Sequence, residues 1–284
     1  MTIRDALRQS IQRFELHGVS SPRLNAEVLL SHVLAAEKAY LYTHDERELS
    51  VEETQRLEDA VYERVSGVPV QYIVGRQEFY GRYFAVNPSV LIPRPETELL
   101  VEHVIGFRPA AGSRIIDVGT GSGCIGITLA LELSETHVFL SDVSFEALQT
   151  ATDNARRLAA NVGIVCMDLL EAASGPFDFI VSNPPYVSRA ETSRLQREVR
   201  EHEPHVALFA EDDGLGAYRQ LIPSAQQMLR PGGYLLMEIG FGLEERVVSL
   251  FDSSWERLPT GADLQGIPRI VIARRPAPPI ANVR

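Results

Sequence analysis

The sequence predicts an α/β protein with a mostly parallel sheet and helices on both faces, preceded by a small helical domain and a β-hairpin. From residue 112 onward, compact apolar runs of strand length alternate with longer helical stretches, which is typical of βαβ units. The first 66 residues, in contrast, contain only helical patterns. We therefore expect a helical domain at residues 1–76, a hairpin linker at 77–92 and an α/β domain at 93–284.

The helical region carries clear start and stop signals. Gly18 offers an end to a first amphipathic helix, and Ser21 followed by Pro22 offers a start to a second. Ser50 and Glu53 have the spacing of a capping box and predict the start of a third helix. Three short helices indicate a small bundle whose role is either binding or structural.

The hairpin and the strands follow from local patterns. Gly81 lies between two aromatic pairs and predicts a tight turn, and the acidic residues after Pro95 indicate a new helix. Residues 255–259 and 268–275 are separated only by a loop, which favours an antiparallel pair that closes the sheet. The other predicted strands are 114–118, 137–141, 162–167, 177–182 and 233–239.

Composition limits the classes of function. Apolar residues make up 45% and charged residues 23% of the chain, which is ordinary for a globular protein. No stretch approaches the length of a transmembrane helix, and the N-terminus lacks the apolar core of a signal peptide, so we expect a cytoplasmic protein without membrane partners. A net charge of −11 disfavours direct nucleic-acid binding. Cys124 and Cys166 lie in apolar runs and are predicted to be core residues, not a disulfide or a metal pair.

A glycine-rich loop follows the first predicted strand of the sheet. It comprises Gly119, Thr120, Gly121, Ser122 and Gly123. Such a loop either tightens a strand-to-helix turn or lets the backbone approach a ligand at a helix N-terminus. The spacing G-x-G-x-G differs from the G-x-G-x-x-G of dinucleotide enzymes, so a pyrophosphate cradle is disfavoured.

The next two strands end in carboxylates. Asp142 is placed to accept hydrogen bonds from the hydroxyls of an adenosine ribose, and Asp168 is placed to reach an adenine amino group. Leu169 can pack on the ring. Because ligands of open α/β sheets lie over the carboxyl ends of the strands, these residues indicate one nucleoside-like ligand without a diphosphate. S-adenosyl-L-methionine, with S-adenosyl-L-homocysteine as product, fits this description.

The fourth strand is followed by Asn-Pro-Pro-Tyr, formed by Asn183, Pro184, Pro185 and Tyr186. Taken alone, this segment reads as a turn, since Asn before Pro commonly starts one. Its position after three strand ends with ligand-type residues favours a catalytic corner instead, with Asn183 beside the cofactor.

The segments "GTGSGCIGI" and "FDFIVSNPPY" resemble methyltransferases that act on planar amide or amine nitrogens. More specifically, "PVQYIVGRQEFYG", "VLIPRPETELLVE", "HEPHVALFAEDDG" and "LRPGGYLLMEIG" resemble the peptide chain release factor glutamine N5-methyltransferase family (HemK/PrmC), over residues 67–274. The resemblance implies a Rossmann-like S-adenosylmethionine-dependent sheet and a substrate-recognition role for the helical domain. The glutamine that many members carry after "EIG" is absent, and Ala262 stands in place of a common lysine. These differences bear on the substrate subtype.

The resemblance also implies the acceptor, which is the glutamine side chain of the Gly-Gly-Gln motif in class-1 release factors. The Asn183 side-chain oxygen and the Pro184 carbonyl would accept hydrogen bonds from both N–H groups of this amide. Catalysis would then come from positioning and electrostatic preorganisation, without a strong base. Tyr186 would offer an aromatic face to the flat amide, and Pro185 would stiffen the corner.

Several alternatives remain at this stage. Related activities are glutamine methylation of a large-subunit ribosomal protein and, less favoured by the charge, RNA or DNA amino-group methylation. A binding module that retains the fold and a nicotinamide dehydrogenase are the other classes. The acidic and histidine residues at 201–205 lack the spacing of a metal site, and Glu203 is expected to support the active site. Arg94 and Glu96 either flank the acceptor channel or pair with each other.

Overall fold

A computed structural model describes residues 1–210 and 213–277, which form two compact units. The first unit comprises Met1–Arg76 and Leu195–His202, and the second comprises Gln77–Arg194 and the described residues from Glu203 onward. The last seven positions of the predicted 93–284 domain, residues 278–284, lie outside the described residues. Each unit has its own hydrophobic core.

The first unit is helical. Its helices are α1 (Ile3–Leu16), α2 (Pro22–Leu34), α3 (Lys38–Thr43), α4 (Val51–Val65), α5 (Val70–Val74) and, from the later segment, α9 (Arg197–His202). Pro22 occupies the first position of α2, and the predicted capping box is present, since the Ser50 and Glu53 side chains each accept a hydrogen bond from the other's backbone N–H. The three predicted helices are present as α1, α2 and α4, and the prediction missed α3 and α5. Helices α3 and α5 are too short, at six and five residues, to show an amphipathic period.

A buried arginine connects α9 to the rest of this unit. Arg64 forms an ion pair with Glu198 at 2.5 Å, and its guanidinium also donates to the Asn25 side chain at 2.7 Å. A buried charge is tolerated only when it is paired and hydrogen-bonded, so this contact explains why α9 packs with helices that lie far away in the sequence.

The second unit begins with a hairpin of β1 (Arg76–Phe79) and β2 (Arg82–Ala85). Both central residues of its turn have positive φ, 51° at Tyr80 and 71° at Gly81, as a two-residue turn of the primed type requires. The predicted turn is therefore present, with the glycine second instead of leading.

The sheet of the second unit confirms the predicted fold class. Its strands are β3 (Arg114–Val118), β4 (His137–Asp142), β5 (Val162–Cys166), β6 (Phe177–Ser182), β9 (Leu229–Glu238), β10 (Glu256–Arg257), β11 (Gly261–Ala262) and β12 (Pro268–Arg274). The spatial order is β10-β12-β9-β6-β3-β4-β5, with β11 also paired to β12. Strands β9, β6, β3, β4 and β5 are parallel, and β12 runs antiparallel to both β9 and β10. The predicted antiparallel pair is present, and β12 also inserts between its partner and the parallel strands.

Helices cover both faces of this sheet. One core packs beneath α6 (Glu98–Gly106), α7 (Cys124–Glu132) and α8 (Phe145–Arg157), and the other beneath α11 (Gly216–Met228) and α12 (Glu244–Val248). The remaining elements are two 3₁₀ helices at Pro95–Thr97 and Arg189–Arg194, the helix α10 (His205–Leu208), and a two-stranded pair of β7 (Val187–Ser188) and β8 (Phe209–Ala210). None of the described helices is long and apolar enough to cross a membrane.

The two cysteines differ in environment. Cys124 is buried at the start of α7, as predicted, but Cys166 is exposed at the end of β5, which contradicts its placement in the core. The physical reason is that β5 is the edge strand of the sheet, with neighbours on one side only. An apolar run on an edge strand is therefore only half covered.

Candidate active site

The predicted cofactor residues meet at one end of the sheet. A cavity of about 270 Å³ lies over the carboxyl ends of β3, β4, β5 and β6, at the point where the strand order reverses. The predicted residues that line it are residues 119–122, Asp142, Asp168, Leu169, Asn183 and Pro185. Gly123, Pro184 and Tyr186 do not line the cavity and lie directly beside residues that do.

The glycine loop requires glycine because of its backbone conformation. Gly119, Gly121 and Gly123 have φ of 70°, 55° and 83°, which disfavours every residue with a side chain. A Cβ on Gly119 or Gly121 would meet no protein atom within 4 Å, so these two positions face open space. At Gly123 it would lie 2.6 Å from the Ile127 side chain, because the chain turns tightly into α7. The loop thus presents bare backbone to the cavity.

Asp142 holds the glycine loop as well as facing the cavity. One carboxylate oxygen accepts a hydrogen bond from the Gly121 N–H and the other from the Ser144 N–H, both at 2.9 Å. Burial raises the pKa of Asp142, and these backbone hydrogen bonds partly oppose that effect. Each oxygen has a second lone pair, so the carboxylate retains capacity for two ligand hydroxyls. These remaining lone pairs fit the two hydroxyl donors of a nucleoside ribose.

Asp168 and Leu169 follow β5 and close the far side of the cavity. Leu169 has a φ of 44°, which is a strained conformation for a residue with a branched side chain. Both residues of this corner line the cavity wall, which is where an adenine ring would lie if the ribose binds at Asp142.

The sequence-based prediction missed a buried carboxyl beneath the loop. Asp117 in β3 accepts hydrogen bonds from the Thr120 hydroxyl at 2.6 Å and from the Gly126 N–H at 3.0 Å. Desolvation raises the pKa of Asp117 to about 7. Asp117 therefore ties the glycine loop to α7 from below. The only signal in the sequence was an acidic residue inside an otherwise apolar strand.

The Asn183 corner lies at the end of β6, opposite the glycine loop. The Asn183 Nδ2 donates a hydrogen bond to the Thr97 hydroxyl at 3.2 Å, and Thr97 is buried. Within residues 1–210 and 213–277, no hydrogen bond is made to Asn183 Oδ1 or to the Pro184 carbonyl oxygen. Asn183 lines the cavity, and together with the carbonyl of the next residue it provides two acceptors of the kind that suit a carboxamide with two N–H groups.

Tyr186 is half-buried next to this corner, and two glycines approach it closely. A Cβ on Gly240 would lie 2.6 Å from the Tyr186 ring, and a Cβ on Gly214 would lie 2.7 Å from the Tyr186 carbonyl oxygen. Burial raises the pKa of Tyr186 to about 12, so the phenol is neutral at ordinary pH. The neutral phenol is therefore not placed to act as a base, and its ring packs against the core beside Gly240.

We expect Gly240→Ala to displace the Tyr186 ring. The backbone of Gly240 is not in the left-handed region, so crowding alone would cause the effect, at a cost of about 1–3 kcal/mol in the free energy of unfolding. The measurements are the thermal midpoint and kcat, and both should fall. Gly106→Ala is the matched control, because a Cβ there meets nothing within 4 Å. Equal midpoints and equal activities for the two variants would contradict this account.

An ion pair identifies the partner of Arg94, the arginine that precedes Pro95. Arg94, at the cavity wall, pairs with the buried Glu203 at 2.5 Å, and the other Glu203 oxygen accepts the Ile92 N–H at 3.3 Å. Arg94 is thus paired with Glu203 and not with Glu96. The Glu203 carboxylate holds the segment that walls the cavity, as expected of a support. Among the described residues, no group of three or more histidine, cysteine or acidic side chains could hold a metal ion.

Comparison with known proteins agrees with this geometry. Residues 5–75 match the model of the PrmC N-terminal domain, and residues 95–202 match that of the methyltransferase small domain. Release factor glutamine methyltransferase of Koribacter versatilis is 45% identical over 97% of this chain and 99% of its own length. The protein of the same name from Nitratidesulfovibrio vulgaris is 41% identical over 96% of this chain and 95% of its own.

Two solved structures are similar in fold. The first is a methyltransferase from Pyrococcus furiosus, with a TM-score of 0.50, 17% identity and coverage of 78% of this chain and 99% of that one. The second is the hMettl16 catalytic domain, with a TM-score of 0.51, 19% identity and coverage of 76% and 81%. The sequence relatives match nearly the full length of both chains, at well above 30% identity. The chain therefore belongs to the release factor glutamine methyltransferase family.

Proposed function

We propose that this protein transfers the methyl group of S-adenosyl-L-methionine to the side-chain amide nitrogen (N5) of the glutamine in the Gly-Gly-Gln motif of class-1 peptide chain release factors. The observation that carries the proposal is Asn183 at the cavity beside the glycine loop, with its Nδ2 engaged by Thr97 and the Pro184 carbonyl as a second acceptor on the next residue. Membership of the family supports the identity of the acceptor.

The cofactor would be held by residues of the cavity. The glycine loop offers backbone N–H groups and close approach, Asp142 offers lone pairs to the ribose hydroxyls, and Asp168 with Leu169 would contact the adenine. When bound, S-adenosylmethionine supplies a methyl group on a positively charged sulfonium. The product S-adenosylhomocysteine is neutral at sulfur, which favours its release from a site lined by carboxylates.

The acceptor needs orientation because an amide nitrogen is a poor nucleophile. Its lone pair is delocalised into the carbonyl, and the two acceptors of the Asn183 corner hold the N–H bonds so that the face of the nitrogen points at the methyl group. The same acceptors stabilise the positive charge that develops on the nitrogen as its bond to carbon forms and the bond of carbon to sulfur breaks. The surplus proton then leaves the nitrogen for solvent.

The stiffness of the corner serves this orientation. Pro184 and Pro185 have no N–H to compete for the acceptors and fix the backbone that aims the Pro184 carbonyl. The neutral Tyr186 ring packs behind them. We also propose that the helical unit recognises the protein substrate, supported by its match to the PrmC N-terminal domain.

The test uses labelled S-adenosylmethionine with four separate acceptors, which are a class-1 release factor, a large-subunit ribosomal protein, RNA and DNA. We expect label only on the release factor, and none when the glutamine of its Gly-Gly-Gln motif is changed to alanine. Label on the altered release factor would overturn the proposed acceptor. Label on the ribosomal protein alone would assign the chain to the sister activity instead.

A further inference from the structure

Two apolar side chains stand in solvent at the end of the sheet that carries the Asn183 corner. Phe241 follows β9 and is 78% exposed, and Leu264 precedes β12 and is fully exposed. No other large apolar side chain in the described part of the second unit is as exposed as either of them. Single exposed apolar residues are common on protein surfaces, so the position and the support of these two decide what they mean.

Backbone pairing places both residues beside the corner. Strand β9 runs parallel to β6, with Met237 opposite Ser182, so the chain that follows β9 lies next to the chain that follows β6. Strand β12 runs antiparallel to β9, and the Ile239 N–H donates to the Arg269 carbonyl at 2.8 Å. The turn before β12 therefore lies at the same rim of the sheet as the turn after β9.

The turn that carries Phe241 packs against the corner itself. The Leu243 N–H donates to the Gly240 carbonyl at 3.2 Å, so Phe241 occupies the second position of a four-residue turn. Gly242, at the third position, has a φ of 75°. A Cβ on Gly240 would lie 2.6 Å from the Tyr186 ring. The exposed phenylalanine is thus one position away from a residue in close contact with the corner.

Leu264 is carried by a turn that one carboxylate closes. The Asp263 side chain accepts hydrogen bonds from the N–H groups of Gln265 and Ile267, at 2.9 and 3.0 Å. It also accepts one from Arg269 Nε at 2.9 Å. The backbone beneath Leu264 is therefore held in place. A side chain on a fixed backbone loses little freedom when a partner covers it, which favours binding.

The two halves of the rim serve different ligands. The predicted cofactor residues belong to the ends of β3, β4 and β5, and the Asn183 corner lies at the end of the next strand, β6. On the other side of the corner follow β9 and β12, where Phe241 and Leu264 lie. With the cofactor over the first half, an acceptor chain whose glutamine reaches Asn183 has the second half to lie on.

We propose that Phe241 and Leu264 form an apolar docking surface for the class-1 release factor, which would cover them with apolar side chains that flank its Gly-Gly-Gln motif. This inference rests on the proposed function, since it takes the acceptor to be that protein. Continuity with the Asn183 corner selects this occupant. Neither residue lines the cofactor cavity, so the surface contributes to affinity for the acceptor and not to the chemical step.

The chemistry of the motif calls for such a surface. Its two glycines have no side chains, and its glutamine is occupied at the Asn183 corner. Affinity for the protein acceptor must therefore come from residues outside the motif, and buried aromatic and aliphatic anchors supply most of the binding energy at protein interfaces. Two apolar side chains on fixed turns next to the corner are suited to this task.

The test measures methylation of the intact release factor at saturating cofactor by Phe241→Ala and Leu264→Ala. Phe241→Ala should raise the KM for the release factor about 20-fold and Leu264→Ala about fivefold, with kcat within about threefold, because each removes binding that is equal in the ground and transition states. Phe241→Leu retains much of the apolar area and should keep the KM within about fivefold of wild type.

Phe145→Ala is the matched control. Phe145 is 61% exposed at the start of α8, on the cofactor half of the rim. Its replacement should leave the KM for the release factor within about twofold of wild type, as is usual for a surface substitution outside an interface. The same loss of affinity in Phe145→Ala as in Phe241→Ala would contradict a surface confined to the second half of the rim.

A second measurement does not depend on turnover. Release factor is titrated calorimetrically into protein saturated with S-adenosylhomocysteine, and its Kd should rise by about the same factors as the KM. Unchanged Kd and KM in both alanine variants would overturn the docking surface alone. A release factor that the wild type leaves unmethylated would instead overturn the proposed function, and the occupant named here with it.

Sedimentation of the protein without release factor tests the other occupant. A wild-type dimer that Phe241→Ala dissociates would assign the surface to a second copy of this chain and overturn the proposal. The expected result is the same sedimentation coefficient for the wild type and both alanine variants.

Discussion

Replacing Asn183 with alanine should lower kcat about 1,000-fold and leave the dissociation constant of S-adenosylmethionine within about threefold of wild type. The change removes one of the two acceptors that hold the reacting amide, and the loss of one preorganised hydrogen-bonding group in an active site costs about 10²–10³ in kcat. The second acceptor, the Pro184 carbonyl, cannot hold the amide plane alone. The loss corresponds to about 4 kcal/mol of transition-state stabilisation.

The measurements are single-turnover methylation of the release factor and calorimetric titration of the cofactor. Asn161→Ala provides a control for the loss of an asparagine side chain, since Asn161 is exposed and directly precedes β5. If Asn183→Ala weakened cofactor binding by the same factor by which it lowers kcat, Asn183 would hold the cofactor and not mainly the acceptor.

Replacing Asp142 with alanine should weaken cofactor binding about 100-fold. The carboxylate is expected to accept hydrogen bonds from the ribose hydroxyls, and each hydrogen bond to a charged group contributes about 1.5–3 kcal/mol. Its loss also leaves the Gly121 and Ser144 N–H groups without their acceptor, so the glycine loop loses the contact that holds it to the end of β4. Affinity therefore falls through both the ligand and the loop.

Calorimetry with S-adenosylhomocysteine measures this effect without turnover. Asp153→Ala is the control, because Asp153 is an exposed carboxylate on the adjacent α8 and pairs only with Arg156 among the described residues. A dissociation constant for Asp142→Ala within about threefold of wild type would contradict the ribose assignment. An unchanged thermal midpoint would separately contradict the role in holding the loop.

Much of the second unit could be predicted because its signals are local. A buried parallel strand is a short apolar run, and a strand end is marked by the first polar or glycine residue after it. Asp142, Asp168 and Asn183 each had this mark, and the parallel sheet brings them to one rim without further information. The capping box at Ser50 and Glu53 was predictable for the same reason, since it spans three residues.

The residues that were missed act through contacts between distant segments. Thr97, for example, gave no sign in the sequence that it would join Asn183, which lies 86 residues later. The pairing of Arg94 with Glu203 joins positions 109 residues apart, and the charge pattern within one motif left open whether Arg94 flanks the channel or pairs with Glu96. The packing of α9 with the helical unit depends in the same way on Arg64 and Glu198.

The sequence by itself determined the fold class, the glycine loop and the strand ends, because these follow from periodicity, backbone preferences and the rule that parallel strands end on one side. Only the tertiary structure decided which way the Asn183 carboxamide faces. The hydrogen bond from Asn183 to Thr97 fixes that orientation, and Thr97 reaches Asn183 from a turn that precedes the sheet in the chain. A hydrogen bond between distant side chains leaves no periodic trace in a sequence, and it can be read only where the chain has brought the groups together.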